Sequence, residues 1–500
     1  MPPKHVPQAL AHRAFLEAPA QAFVTVLVTV LVTALAGGMG WGIRGQYGHE
    51  TGAMMAGLLV ALVLALRLAP HLPPLASARA VALATVAMGF GGTETYGQTI
   101  GLTQDAALIG NVAALGWGML GLAIKGGIWI GFFGLFLGMG LGGIRYRVRE
   151  MLFLMLALIA VQRVGVGWIN EPFDPAHRIL PRIYFSDDWR WEPDSVLKPR
   201  REVWGGLLLA LAVAGAWCGV YRRDVLAVRM MLWGFFGGAL GFPLGQSLQA
   251  AHAWHPEWFQ GGLWTRLAPH MNWWNWMETT FGCTMATVVA VGLIRNRKLI
   301  AHTVDPEKGW TPPVEFAVLT LHLGLLVASE WGPFPRIQAI YDPGLHLGLI
   351  PLVAVVVGRR WPAWLITLVT VVPIAGKTFL IRGIENPVTI GWVGTVGTFW
   401  ILGVLLLGLP LVWASLSAAW WIADQDREPD SGRSLRRTLL GSAWVYFALN
   451  FVFFDFPWPW QPWTARTPNA LFFMLALFAL TAVALASPPA RPGRVRVSSQ

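Results

Sequence analysis

A chain of 500 residues that is 55% hydrophobic and only 13% charged, with a mean hydropathy of +0.53, is excluded from the soluble globular class, where about 25% charged residues is usual. Its net charge of +11 sits in short Arg and Lys clusters between apolar runs, the pattern of topology signals and anionic lipid contacts, and no nucleic-acid partner is expected. Two cysteines, Cys218 and Cys283, each inside an apolar run, rule out a disulfide framework or a cysteine zinc site.

Lys4 and Arg13 precede the first apolar run as in an export signal, but the basic region is long and contains Glu17, so an uncleaved first helix is expected. Candidate spans in the first third are 22–36, 53–66, 80–92, 106–124 and 126–143, followed by 151–169. The later ones are 203–220, 225–244, 279–294, 314–329, 345–358, 361–379, 388–422, 439–454 and 470–486. Lipid requires backbone groups to be satisfied internally, so the expected fold is all-α: one polytopic integral membrane helix bundle of about 14 transmembrane helices.

The clusters "RYRVR" (Arg145 to Arg149), "YRR" (Tyr221 to Arg223), "RNRK" (Arg295 to Lys298), Arg359–Arg360, "RSLRR" (Arg433 to Arg437) and "RPGRVR" (Arg491 to Arg496) are expected on the cytoplasmic side. That orientation puts the C-terminus in the cytoplasm of a bacterial-type plasma membrane. The Trp-, Pro- and His-rich segments between the clusters alternate with them from Arg145 onward. The first third does not close, because five spans starting inside would place "RYRVR" outside. Either one candidate fails to cross or the N-terminus is external; "IKGGI" (Ile124 to Ile128) marks a turn between two half-helices of a re-entrant element or a boundary drawn in the wrong place, and Lys125 is a loop lysine reaching the headgroups or a charge drawn into the core. The run 388–422 is long for one crossing and contains Pro410; two passes there would break the later alternation.

"GGMGWGIRGQ" (Gly37 to Gln46) and "GGALGFPLGQ" (Gly237 to Gln246) share both glycine pairs and the final Gln, the pattern of a duplicated element. With 56 glycines in the chain such matches come cheaply, and close helix packing explains them equally.

Ionisable and polar side chains gather at the outward ends of apolar runs. Arg44, Gln46, His49 and Glu50 lie on the first glycine segment, expected to break the helix, and Glu94 and Gln98 on a shorter echo of it. Gln246, Trp274, Asn275 and Glu278 supply hydrogen bonds and a stacking face, and Lys377 and Arg382 supply anion-binding charge. Glu50, Glu94 and Glu278 are the candidate acids or bases. His252, His255 and Glu257 form an incomplete two-His, one-carboxylate set, interrupted by Pro256, so no metal site is assigned. No paired-histidine heme pattern occurs, so a cofactor-binding subunit with His252, His322 or His346 as axial ligands is a minor reading, and the sequence leaves the cofactor unknown.

Such an inventory suits two functions. One is a transporter, or a flippase for lipids or glycoconjugates, holding a polar and anionic substrate in an outward-facing pocket. The alternative is a membrane-embedded transferase or hydrolase acting on a lipid-linked or glycan substrate at the extracytoplasmic leaflet. High span number and glycine-broken helices favour transport.

Overall fold

The computed structural model describes residues 8–45, 47–48, 50–93, 96–196, 198–302, 309–341, 344–387, 391, 393–454 and 462–486, with backbone only for 8–20 and Thr93. Gln46, His49 and Glu94, three of the expected binding residues, lie outside the described residues, as do the 491–496 basic cluster and most of the "WPWQPW" segment.

In chain order the helices are α1 (Gln8–Arg44), α2 (Thr51–Leu68), α3 (Pro74–Phe90), α4 (Gly97–Gln104), α5 (Val112–Leu141), α6 (Val148–Ile169), α7 (Trp204–Ala216), α8 (Val225–Trp254), α9 (Trp264–Leu267) and α10 (Trp273–Arg295). They continue as α11 (Pro312–Trp331), α12 (Pro335–Tyr341), α13 (Leu345–Val357), α14 (Trp361–Trp364), α15 (Thr370–Phe379), α16 (Gly394–Leu402), α17 (Leu409–Arg427), α18 (Gly432–Phe453) and α19 (Thr467–Leu485). Among the described residues there is no strand, only one bridge between Asp174 and Ile179. The chain is an all-α polytopic membrane helix bundle.

Eleven described helical segments are long and apolar enough to cross a bilayer, and twelve if α12 and α13, bent by 69° at their junction, make one span. The expected fourteen exceeds this. Of the two further helices that number needs, α3 has only 17 residues, and α18 carries Arg433, Arg436 and Arg437 in its opening turns.

The first third closes once two expectations are corrected. Runs 106–124 and 126–143 are one 30-residue helix, α5, and "IKGGI" lies in its middle rather than at a turn. Gly126 and Gly127 face α8: a methyl on Gly126 would lie 2.5 Å from the Gly238 carbonyl oxygen. These glycines admit a neighbouring backbone instead of bending their own. The break falls one element earlier. Helix α3 ends where Trp129, near the middle of α5, donates from Nε1 to the Met88 carbonyl at 2.8 Å. A 3-10 turn, Gly91–Thr93, follows α3, and α4 begins at Gly97 alongside the first half of α5, with Thr103 and Leu102 against Gly118. Together α3 and α4 form one broken element lying along α5, so four elements, α1, α2, α3–α4 and α5, precede "RYRVR".

The basic segments then meet at one end. The Ala301 N–H donates to the Leu141 carbonyl and the Ser431 N–H to that of Leu72, both at 2.9 Å; Arg79 reaches the Gly358 carbonyl, and Arg222 bonds Glu150 at 3.1 Å. At the other end Trp254 Nε1 donates to the Thr103 carbonyl at 2.9 Å, Trp117 Nε1 to that of Tyr184 at 2.7 Å, and His270 packs on Trp463. Segment 394–427 runs as one 34-residue element through a π-type stretch at Gly403–Gly408, and Pro410, which has no N–H to return to the preceding turn, lies just past that stretch. The alternation of ends therefore survives.

Helix α1 also corrects an expectation. It continues through Gly37, Gly38, Gly40 and Gly42 to Arg44 rather than breaking at the glycine pair. Those glycines let α10 approach, since Cβ atoms on Gly37 and Gly282 would each strike the other helix's backbone, and Gly38 faces Cys283. Segment 237–245 of α8 packs on the same α10 through Gly237, Gly241 and Gly245. Gly238→Val should force α5 and α8 apart, because its added atoms would overlap the Gly126 carbonyl. An overpacking cost of about 1–3 kcal/mol is expected, read as a lowered thermal midpoint in detergent.

Candidate functional site

Arg44 closes α1, and its guanidinium occupies an aromatic cage. It lies 4.6 Å from the Trp41 ring centroid, 5.2 Å from Tyr96 and 5.4 Å from Trp129. Trp41 is three residues earlier on the same helix face, Trp129 comes from the middle of α5, and Tyr96 from the end of the α3–α4 break. Arg44 Nη2 is 3.2 Å from Glu278 Oε1 and also hydrogen-bonds the Tyr96 hydroxyl; both charged residues are 1% exposed. The same Glu278 oxygen accepts from Tyr96 OH at 2.6 Å and from Trp274 Nε1 at 3.2 Å. Asn275 fixes the junction, donating from Nδ2 to the Gly42 carbonyl at 2.6 Å. Two donors in the cage, Arg44 Nε and Trp41 Nε1, are buried without an acceptor. Such orphan donors are uncommon and call for an explanation.

The backbone around the cage is broken twice. Beyond Arg44 the chain turns through Gly45 and Gly48, whose φ of +93° suits glycine, and α2 begins at Thr51 with Glu50 at its N-cap. A methyl on Gly52, in the first turn of α2, would lie 2.6 Å from the Arg44 carbonyl. Helix α4 starts at Gly97, directly after Tyr96. The first turn of α2 therefore lies against the Arg44 backbone, and α4 follows directly on the Tyr96 wall.

A second ion pair holds the opposite side of the turn. Lys377 Nζ lies 2.6 Å from Glu330 Oε2 and donates to the Tyr47 carbonyl at 2.8 Å, while Thr51 Oγ1 donates to Glu330 Oε1 at 2.9 Å. Lys377 and Glu330 are 20% and 18% exposed, and Glu330 lines an open cavity of about 460 Å³ with Trp331, Gln338, Gly376, Phe379 and Ile384. The glycine turn is gripped between a sealed pair and a half-open one.

Compared with known proteins, the chain matches no family model, no curated protein and no solved structure. The functional reading therefore rests on geometry and chemistry.

Of the residues singled out in the sequence, Arg44, Trp274, Asn275 and Glu278 come together, with Glu50 and Lys377 on the far side of the turn. Gln246 lies elsewhere, donating from Nε2 to Thr103 Oγ1 at 2.7 Å, and Gln98 accepts from the Arg200 N–H at 3.2 Å. Arg382 stands on a π-type stretch, Leu380–Glu385, one turn past Lys377. An open pocket around Arg44 and Glu278 was expected; instead the pair is sealed, because three rings and a carboxylate compensate the buried cation. His252, His255 and Glu257 do not converge on a metal-ligand geometry. His252 stacks on Trp273 at 4.2 Å, His255 stacks on Trp258 and pairs with Glu257 at 3.2 Å, and no group of three metal-binding side chains occurs among the described residues.

Trp41 and Trp129 wall the cage without being expected there, and of the two places open to Lys125 the structure shows the core. Lys125 is fully buried, 2.7 Å from Glu202 and 2.9 Å from Thr99 Oγ1, so α4 is tied to the loop before α7 at membrane depth rather than at the headgroups. The spacing of Trp41 and Arg44, three apart on one helix face, was the available signal for the first wall.

Proposed function

We propose that the protein is a membrane carrier for a polar, anionic substrate, a phosphate- or carboxylate-bearing lipid or small molecule, seen with its binding site closed. The observation that carries this reading is a buried arginine with a surplus of donors, Arg44 Nε and Trp41 Nε1, set where two helical elements are interrupted. Ionisable groups at membrane depth usually serve function, and interrupted helices present N-termini to anionic groups in carriers. Glu278 is then the internal counter-ion, which an entering anion displaces from Arg44 while the planar guanidinium takes up two substrate oxygens. The 460 Å³ cavity beside Glu330 is the approach, and Lys377 the first cation a substrate meets. The link between the two ion pairs is the backbone at Tyr47, three residues past Arg44, whose carbonyl accepts from Lys377.

A transferase reading draws on the 2.6 Å Tyr96–Glu278 hydrogen bond, which resembles an acid–base pair. Mass spectrometry of protein extracted in native lipid discs tests the substrate-binding claim. Wild type is expected to carry an anionic lipid or metabolite that the Arg44→Met/Glu278→Met double variant loses. An identical ligand spectrum from both proteins would refute the binding role of Arg44.

A further inference from the structure

The loop between α6 and α7 folds over the outer end of α4, and their contact brings two carboxyl groups together. The Asp187 N–H donates to the Gln98 carbonyl at 3.2 Å, pinning the loop to the first turn of α4. Asp105 caps the other end of that helix. Gly101 lies between them: a methyl there would sit 2.6 Å from Asp105 Oδ2 and 2.6 Å from each oxygen of Asp187. The two carboxyl groups are therefore no further apart than twice that distance. Asp187 is 7% exposed, and its Oδ1 is buried with no hydrogen-bond partner. Among the described residues neither Asp105 nor Asp187 takes part in an ion pair.

We infer that Asp105 and Asp187 form a proton-binding site, one proton shared between the two carboxyl groups, that fastens the α6–α7 loop to α4 and releases it on ionisation. Two carboxylates this close and this poorly solvated resist ionising together, and a proton placed between them turns repulsion into a hydrogen bond. The surrounding charges favour proton retention. Glu192 and Asp188 face the pair from the same loop; Asp188 is neutralised by Arg190, with Oδ2 2.6 Å from Nε, whereas Glu192 adds negative charge. Helix α8, which packs on α4 through Trp254, carries His252, held against Trp273. Further in, Lys125 is matched by Glu202. Burial, and then the Asp105 carboxylate, push the Asp187 carboxyl up to about 7. The folded-state value is raised, so the fastening is complete below the ordinary carboxylate range and is lost as pH rises through about 7. What opens is the outer half of the broken element whose inner end carries Tyr96, although the site does not depend on which substrate, if any, is carried.

Hydrogen–deuterium exchange of the full chain in lipid nanodiscs, corrected for the intrinsic pH dependence of exchange, tests this. In wild type, peptides covering 97–108 and 184–192 should exchange about tenfold faster at about pH 9 than at about pH 5. Asp187→Asn, which replaces the shared proton with a permanent amide donor, should stay protected at both. Gly101→Ala, whose methyl displaces Asp187, should exchange fast at both while segments of α5 and α8 keep their protection. Equal wild-type protection at both pH values would overturn the inference, as would a wild-type pH response in Asp187→Asn. Protection restored at high pH by added calcium would overturn it too, by making the site one for a metal cation.

Discussion

Arg44→Met is expected to destabilise the folded protein by about 3–5 kcal/mol, because it leaves Glu278 as an uncompensated buried carboxylate. Glu278→Met should cost a similar amount for the mirror reason, stranding the guanidinium among Trp41, Tyr96 and Trp129. The double variant should recover most of the loss, since two apolar side chains of comparable volume replace a desolvated pair. Thermal unfolding in detergent measures all three. A pair retained only for stability would lose nothing else in the double variant. The proposal requires a stable protein that no longer binds its anion, so stability and binding separate in one molecule.

A comparable effect is expected at the second buried pair, with a different consequence. Glu202 accepts from Lys125 Nζ at 2.7 Å, Ser186 Oγ at 2.8 Å, the Phe185 N–H at 3.0 Å and Trp204 Nε1 at 3.2 Å. Glu202→Leu removes four donors' partner at once and should cost about 3–5 kcal/mol. Removing the cation as well should not restore stability here. In Lys125→Met/Glu202→Leu the backbone N–H of Phe185 and the Ser186 hydroxyl still lack an acceptor; Lys125→Met/Glu202→Gln supplies one and should do better. Ligand retention in native discs should be unchanged in that last variant, which makes Lys125–Glu202 the structural control for Arg44–Glu278.

Much of the architecture was legible because it follows from local chemistry. Apolar runs specify helices in lipid, and Arg clusters such as Arg145–Arg149 and Arg295–Lys298 cannot be buried cheaply, so they mark one end of the bundle. Glycine was the ambiguous letter. At Gly45 and Gly48 it permits a turn, yet at Gly37, Gly126 and Gly238 it permits another backbone to approach, and only the partner helix distinguishes these uses. "IKGGI" is open to both uses for that reason, and the five-span count depends on which one holds. The cage was half legible: the Arg44 side of the inventory was visible, whereas its pairing with Glu278, 234 residues away, and the walls from Trp129 and Tyr96 exist only through tertiary contact. Openness was not legible at all, because whether a buried cation is matched or exposed depends on those same distant partners.

Access from both membrane faces is the claim on which the carrier reading stands. Gly97, at the start of α4, has only Trp274 Cη2 near its Cβ direction, at 3.9 Å, and accepts a cysteine without displacement. In a protein with Cys218 and Cys283 replaced by alanine, Gly97→Cys should react with a membrane-impermeant thiol reagent applied to either face of sealed vesicles, and bound substrate should slow both reactions. Reaction from the tryptophan-rich face alone, under every condition, would contradict a carrier and leave a one-sided transferase site.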